Sequence, residues 1–220
     1  VVDNYSKKAK TALYLEELRE QGATIISYSS KFNYSAICNA AAEIATGEYL
    51  CFLNNDAEAL QPNWLSSMVD HASKPSVGIV GAVLTFPNGR LQHTGVALGY
   101  TGMAGHPWRG EKADLFVPTN CFQVSAVSFA CAVISAEKFR SLGGLNVEFP
   151  VGFNDVDISI RATQSKLVNV ICTNARLLHG ESQTRKRTLS LQGFCQGMKD
   201  VAMLINKHNK SLTENFFVRG

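Results

Sequence analysis

The sequence predicts an α/β fold: a mostly parallel central sheet flanked by helices. Three observations carry this. The first eighty residues alternate β-α-β-α-β, the pattern of an open sheet with right-handed crossovers. Tyr49-Leu50-Cys51-Phe52-Leu53 is a continuous apolar run, as in a strand covered on both faces. Between residues 33 and 46, Ala36, Ile37, Ala40, Ala41, Ile44 and Ala45 recur at helical spacing, and most are small enough to pack closely on a sheet.

The elements follow in order. Val1-Val2-Asp3-Asn4 reads as the second half of a strand running into a turn, so the N-terminal strand is expected to be truncated and the domain to begin upstream. Over residues 8–21, Leu13, Leu15 and Leu18 sit among charges and Gly22 supplies a stop, which predicts a surface helix. Residues 24–28 form a short strand. Gly47 ends the small-residue helix, and the strand over 48–53 follows at once. Pro62 opens a helix through Trp64, Leu65, Met68 and Val69, and residues 77–83 make the next strand.

After that the alternation stops. Leu84-Thr85-Phe86 and residues 91–98 flank Pro87-Asn88-Gly89-Arg90, a hairpin signal. Residues 99–120 are rich in Gly, Pro and aromatics, and a loop of that length in one domain points to function. Residues 124–134 read as a buried strand, 135–142 as a helix broken by Gly143-Gly144, 155–165 as a helix with an acidic start, 168–172 as a strand and 189–208 as a terminal helix.

Composition narrows the function classes. Of 220 residues, 45% are hydrophobic and 18% charged, enough apolar material for a sizeable core and against global disorder. A net charge of +3 does not point to nucleic acid, which is not expected as a partner. The six cysteines, Cys38, Cys51, Cys121, Cys131, Cys172 and Cys195, show no CxxC spacing and read as buried free thiols in a reducing compartment. There is neither a signal peptide nor an apolar stretch of about 18 residues, so the domain is expected to be cytoplasmic.

Three segments carry possible chemistry. Asn54-Asn55-Asp56 ends the apolar strand and delivers a carboxylate where open sheets bind ligands, although an Asx-rich turn or helix cap has the same composition. A hard cation shared with substrate phosphates needs oxygen ligands of this kind. Gly152-Phe153-Asn154-Asp155-Val156-Asp157 sets two carboxylates at a helix start, suited to proton abstraction and equally to capping. In Ala175-Arg176-Leu177-Leu178-His179-Gly180, a histidine ends an apolar stretch, ahead of Arg185 and Lys186. Its imidazole suits a metal, and the cations suit phosphates.

In combination and in this order, these segments resemble the inverting family 2 glycosyltransferases of GT-A fold, over roughly residues 1–187. Asn33-Tyr34-Ser35-Ala36 with Asn39, Thr46-Gly47-Glu48-Tyr49-Leu50, Gly81, the Phe86-Pro87-Asn88-Gly89 hairpin and Gly143-Gly144-Leu145 add to the likeness. The resemblance implies one domain, with residues 1–98 as the nucleotide-sugar half, 99–187 as the acceptor and catalytic half, and 188–220 as a C-terminal helix and tail. It implies that Asp56 and His179 bind Mg²⁺ or Mn²⁺, and that Asp155, or failing it Asp157, is the general base. Asp3, Asn33, Asn39, Asn54, Asn55 and Arg185 would surround the donor.

The Asn-Asn-Asp form resembles the rhamnosyltransferase-like branch, which implies a UDP- or dTDP-sugar donor, a glycan or lipid-linked acceptor and a bacterial surface polysaccharide. Membrane association at the inner face would fall to regions beyond this chain. Trp108 and Tyr100 are candidates to stack on the acceptor sugar. Asn54 stands where the family more often has aspartate, and Tyr5 where a glycine is common. These departures motivate the alternative of a catalytically degenerate module that binds a glycan or a protein.

Overall fold

The computed structural model describes residues 1–100, 103–116, 120–180 and 191–213. Its strands are β1 (Val2–Asp3), β2 (Ile26–Ser27), β3 (Tyr49–Leu53), β4 (Ala57–Ala59), β5 (Val77–Thr85), β6 (Leu91–His93), β7 (Ala97–Tyr100), β8 (Met103–Gly105), β9 (Phe122–Val124), β10 (Cys131–Ser135) and β11 (Val168–His179). Its α-helices are α1 (Ala9–Glu20), α2 (Tyr34–Ile44), α3 (Trp64–Ala72), α4 (Ala136–Ser141), α5 (Asn154–Gln164) and α6 (Leu191–Thr213).

The central sheet has seven strands, in the order β3-β10-β5-β11-β4, with β6 added to β5 and β9 to β11. β3, β5 and β11 run in one direction, as the βαβ alternation requires. β10 is antiparallel to both β3 and β5, which makes the sheet mixed. All nine residues of β5 are buried, so the double-sided strand is realised at the sheet centre. β3 differs from the expectation for residues 48–53. It is the last strand on its side of the path, Leu50 and Phe52 are buried, and Cys51 and Leu53 are exposed. The one-sided burial comes from its edge position, which an apolar run does not reveal.

Helices cover both faces. Cys38 and Ala42 of α2, Ala136 and Phe139 of α4, and Ile158 and Ala162 of α5 pack into one core with Phe52, Ile79 and Ile134. Met68 and Ala72 of α3 close the opposite core over Val80, Ala82 and Cys172. A third cluster joins α5 to α6 through Val156, Ile160, Leu204 and Leu212. The hairpin turn forms as expected: Gly89 takes φ +74° and Arg90 N–H donates to Asn88 Oδ1. The stretch 124–134 divides into β9 and β10 with a non-strand link, and the strand at 168–172 runs on to His179.

Two polar frameworks position what the sheet does not. In the first, α2 is tied to the loop before α5. Asn33 caps the helix, accepting from Ala36 N–H at 3.0 Å and donating to Val147 O at 2.8 Å. Asn39 grips the backbone of Leu145 from both sides, donating to its carbonyl and accepting from its N–H, each at 2.8 Å. Ser35 Oγ donates to Phe149 O at 2.7 Å. Gly144 passes so close that a Cβ would lie 2.8 Å from Asn39 Oδ1. These bonds give Asn33 and Asn39 a part in holding that loop.

The second framework is ionic. Asp157 is buried, with Oδ2 taken by Arg161 at 2.7 and 2.9 Å and Oδ1 by His208 Nε2 at 2.8 Å. Arg161 also donates to Leu142 O and Gly144 O, and His208 sits at a kink in α6. Asp157 is therefore a tie between α5, α6 and the glycine break, and not an alternative general base. It borders a cleft of about 450 Å³ together with Gly144, Lys207 and His208, and neither Asp56 nor His179 lines that cleft.

Burial would raise the Asp157 carboxyl, but the hydrogen bond from His208 and the charge of Arg161 outweigh it and hold the group below the usual carboxylate range. A depressed folded-state value stabilises the fold fully above the unfolded value of about 4 and loses that stabilisation as pH falls through the folded value. Asp157→Asn, which strands Arg161, is therefore expected to cost about 3 kcal/mol at pH 7. In thermal melts across pH, its gap to wild type narrows below about pH 4. A gap that stays constant with pH would refute the ionic account.

Candidate active site

The site forms where β3 ends and β11 returns. β4 pairs antiparallel with the end of β11, with Ala57 opposite His179, Glu58 opposite Leu178 and Ala59 opposite Leu177. Gly180 N–H donates to Asp56 O at 3.0 Å, which closes the ladder. This pairing brings Asp56 and His179 side by side across 123 residues of chain. His179 Nε2 stands 3.1 Å from Asp56 Oδ1, and both side chains are mostly shielded from solvent.

The second imidazole nitrogen fixes the chemistry of the first. His179 Nδ1 lies 2.6 Å from Gln92 Oε1, a pure acceptor, so Nδ1 carries a hydrogen. Gln92 is buried in β6, where its Nε2 donates back to His179 O at 3.4 Å and its own carbonyl accepts from Arg109 at 3.3 Å. In neutral imidazole, Nε2 then offers a lone pair directly to a carboxylate oxygen. The lone pair and the carboxylate oxygen, 3.1 Å apart, are donors of the kind that a cation takes. Asp56 Oδ2 is buried and has no hydrogen-bond partner among the described residues. A carboxylate and an imidazole that converge with an orphaned oxygen fit a divalent metal, held in the manner of a histidine fixed through its other nitrogen.

Asn54 and Tyr34 extend the cluster. Asn54 Nδ2 lies 3.3 Å from His179 Nε2, and its Oδ1 lies 3.4 Å from the Tyr34 hydroxyl, which donates to Phe129 O at 2.9 Å. Burial first, then Cys38 and the Asp155 carboxylate, hold the Tyr34 hydroxyl well above its ordinary range, so it remains a donor. Asp155 is thus electrically coupled to Tyr34, which reaches Asn54. It sits half-buried at the head of α5, its Oδ1 accepting from Val156 N–H at 2.9 Å. The sharp turn before it comes at Phe153, with φ +62°, and not at Gly152. A non-glycine residue in that conformation costs about 1–2 kcal/mol.

Asn55 is exposed on the turn. Asp3, at the end of β1, accepts from Ser6 N–H at 3.1 Å. Tyr5 between them adopts φ +60°, so the turn keeps a glycine-like backbone despite the tyrosine. Trp108 is half exposed, with its ring 5.6 Å from Phe116. Arg185 and Lys186, and the Tyr100 side chain, lie outside the described residues.

Gln92 and His93 escaped the sequence reading. Burial, followed by the charges of His106, Arg109 and His179, holds His93 well below the usual imidazole range. It is neutral, accepting from Ser128 N–H at 3.1 Å through Nε2 and facing His106 at 3.0 Å through Nδ1. No helix among the described residues is long and apolar enough to cross a membrane.

Comparison with known proteins agrees with this architecture. The chain is 40% identical over 192 residues to the O-antigen biosynthesis protein RfbC of Myxococcus xanthus and, over the same length, to the uncharacterized protein y4gI of Sinorhizobium fredii. Each alignment covers 84% of this chain, but the chain spans only 15% and 21% of those relatives. Among solved structures it resembles GalNAc-T7 with UDP, GalNAc and Mn²⁺ (TM-score 0.64, 16% identity, 81% of this chain and 36% of that one). It also resembles the mannosyltransferase PcManGT from Pyrobaculum calidifontis with GDP-Man and Mn²⁺ (TM-score 0.61, 16% identity, 91% and 54%). S. aureus TarS gives a TM-score of 0.58 at 13% identity, over 93% of this chain and 33% of that one. The fold is GT-A. The family model described as glycosyl transferase family 2 matches residues 1–143, from β1 through the Gly143 break, and the chain belongs to that family.

Proposed function

We propose that this domain transfers a sugar, with inversion, from a nucleotide-diphosphate donor to a hydroxyl of a glycan or lipid-linked acceptor. The observation that carries the proposal is the convergence of Asp56 and His179 beside a buried, unpartnered carboxylate oxygen. Asp56 and His179 would hold Mn²⁺ or Mg²⁺. Such an ion, when bound, neutralises charge on the departing diphosphate. GalNAc-T7 with UDP and Mn²⁺, and PcManGT with GDP-Man and Mn²⁺, which share this fold, support this reading.

The chain's own residues do the rest. Gln92 keeps the hydrogen on His179 Nδ1 and so presents Nε2 as a ligand. Asn54 bridges that imidazole to Tyr34 without adding charge. Asp155, turned into position by Phe153 and braced through the loop that α2 holds, takes the proton from the attacking hydroxyl. Asp3 and Asn55 stand on turns suited to the donor's nucleoside, for which UDP and dTDP are the first candidates. The likeness to an O-antigen biosynthesis protein supports a role in bacterial surface polysaccharide.

The decisive experiment is donor turnover by the full chain with Mn²⁺ across a nucleotide-sugar panel. Asp155→Asn is expected to lower kcat by roughly 100- to 10,000-fold while calorimetry shows donor binding intact. An unchanged kcat would remove Asp155 from the role of base.

Gln92→Leu is expected to weaken Mn²⁺ binding by about 10- to 100-fold without touching a metal ligand, because it frees the imidazole to rotate and change tautomer. Calorimetry with Mn²⁺ reads this directly. Failure of the wild-type chain to bind any nucleotide with metal would favour the degenerate binding module that Asn54 suggests.

A further inference from the structure

A second cluster of reactive side chains lies on the α3 face of the sheet, and the transfer chemistry does not use it. β9 and β11 pair antiparallel, with Val170 opposite Gln123 and Ile171 opposite Phe122. One step further, the same register sets Cys172 opposite Cys121. Directly opposed cross-strand residues carry Cβ atoms about 4.5–5.5 Å apart, whereas a disulfide spans about 3.5–4.5 Å, so a small approach of Cys121, the residue before β9, toward Cys172 brings the pair to bonding distance. The two sulfurs and His71 Nε2 lie within 4.8 Å of one another. Both thiols are free; Cys172 is fully buried and Cys121 is partly open to solvent.

The surroundings assign different roles to the two sulfurs. His71 Nδ1 lies 3.3 Å from Lys74 Nζ, and an ammonium can only donate, so the imidazole hydrogen is on Nε2. Nε2 points at Cys121 Sγ from 3.1 Å. The Cys172 thiol also donates to Cys121, and the Thr173 N–H and His71 add to it. Together they outweigh desolvation and bring Cys121 down to about 5. The same hydrogen bond, with burial, pushes Cys172 up. One sulfur is a partly exposed thiolate, the other a buried thiol in contact with it.

We propose that Cys121 and Cys172 form a peroxide-sensitive, reversible disulfide switch, with Cys121 the attacking thiolate, Cys172 the resolving thiol and His71 a positioning donor. The Cys121 thiolate attacks one oxygen of hydrogen peroxide, the O–O bond breaks, and hydroxide leaves. This yields a sulfenic acid, a two-electron oxidation of sulfur. Cys172 then attacks that sulfur; its proton and the sulfenic hydroxyl depart as water, and the S–S bond forms. The product joins β9 to β11 immediately before residues 173–175, where β11 bulges. A dithiol reductant reverses it.

The same three ligands have the softness that suits Zn²⁺. A metal-bound imidazole, however, directs its other N–H at an acceptor, and Nδ1 here faces Lys74. The hydrogen-bond pattern therefore favours the thiol pair over the metal.

The test treats the reduced, chelator-washed full chain with stoichiometric hydrogen peroxide and maps it by non-reducing peptide mass spectrometry. A Cys121–Cys172 linked peptide, lost on reduction and absent from Cys121→Ser, is expected. Iodoacetamide labelling of Cys121 in the wild type should show a midpoint near pH 5, and His71→Ala should move that midpoint upward. Labelling with the midpoint of an ordinary thiol, about 8.5, together with no linked peptide, would overturn the proposal. So would purified protein carrying stoichiometric zinc that blocks Cys121 labelling until it is chelated, which would identify a metal site instead.

Discussion

The architecture turns on the register of β11. This strand is hydrogen-bonded to β5 along its length, to β9 near its start and to β4 at its end. Along β5 the register is not uniform: Cys172 faces Ala82 and Arg176 faces Val83, so β11 takes four residues where β5 takes one. A bulge of this kind re-aims everything beyond it. Side chains alternate faces along a strand, so a one-residue slip would turn His179 away from Asp56. Placement of the candidate metal ligands therefore rests on backbone hydrogen bonds well away from either side chain. Arg176 N–H, leaving the bulge, donates to Gln61 Oε1 at 2.9 Å, which anchors the strand to the segment after β4.

The second dependence is on polar groups that serve the scaffold. Asn33 at the N-cap of α2, and Ser35 and Asn39 within the helix, are all bonded to residues 145–149. On the far side of the same loop, Arg161 holds Leu142 O and Gly144 O. The segment leading to Asp155 is thus clamped from α2 and from α5 itself, with enough determination to keep Phe153 in a left-handed conformation. Strain persists at a site only when the surroundings over-determine it.

These arrangements explain what could be read from the residues and what could not. Asp56 and His179 were legible because each ends an apolar run, and strand ends are where open sheets bind ligands. Asp155 and Asp157 looked alike because acidic residues two apart at a helix start satisfy capping, the dipole and catalysis equally. Only Arg161 and His208, the latter 51 residues away, separate them. Gln92 carried no signal: it sits beside a hairpin, and its partner is 87 residues distant. β4 was missed because Ala57-Glu58-Ala59 has little strand propensity and exists through its pairing with β11. The exposed side of β3 was hidden for the opposite reason, since an apolar run reads the same at an edge as at the centre.

Asn54 shows how a departure from the expected pattern fits its surroundings. A carboxylate there would place a second negative group beside Asp56 and against the lone pair of His179 Nε2. Close like charges raise one another's proton affinity, so such a site without a cation would take up protons or spread apart. The amide avoids this. Its Nδ2 faces Nε2 while its Oδ1 faces the Tyr34 hydroxyl, so it joins α2 to β11 with no net charge. Asp56, His179 and Gln92 then converge with a single carboxylate among them. The result is a site of lower charge, in which the imidazole's orientation matters more than it would beside two carboxylates.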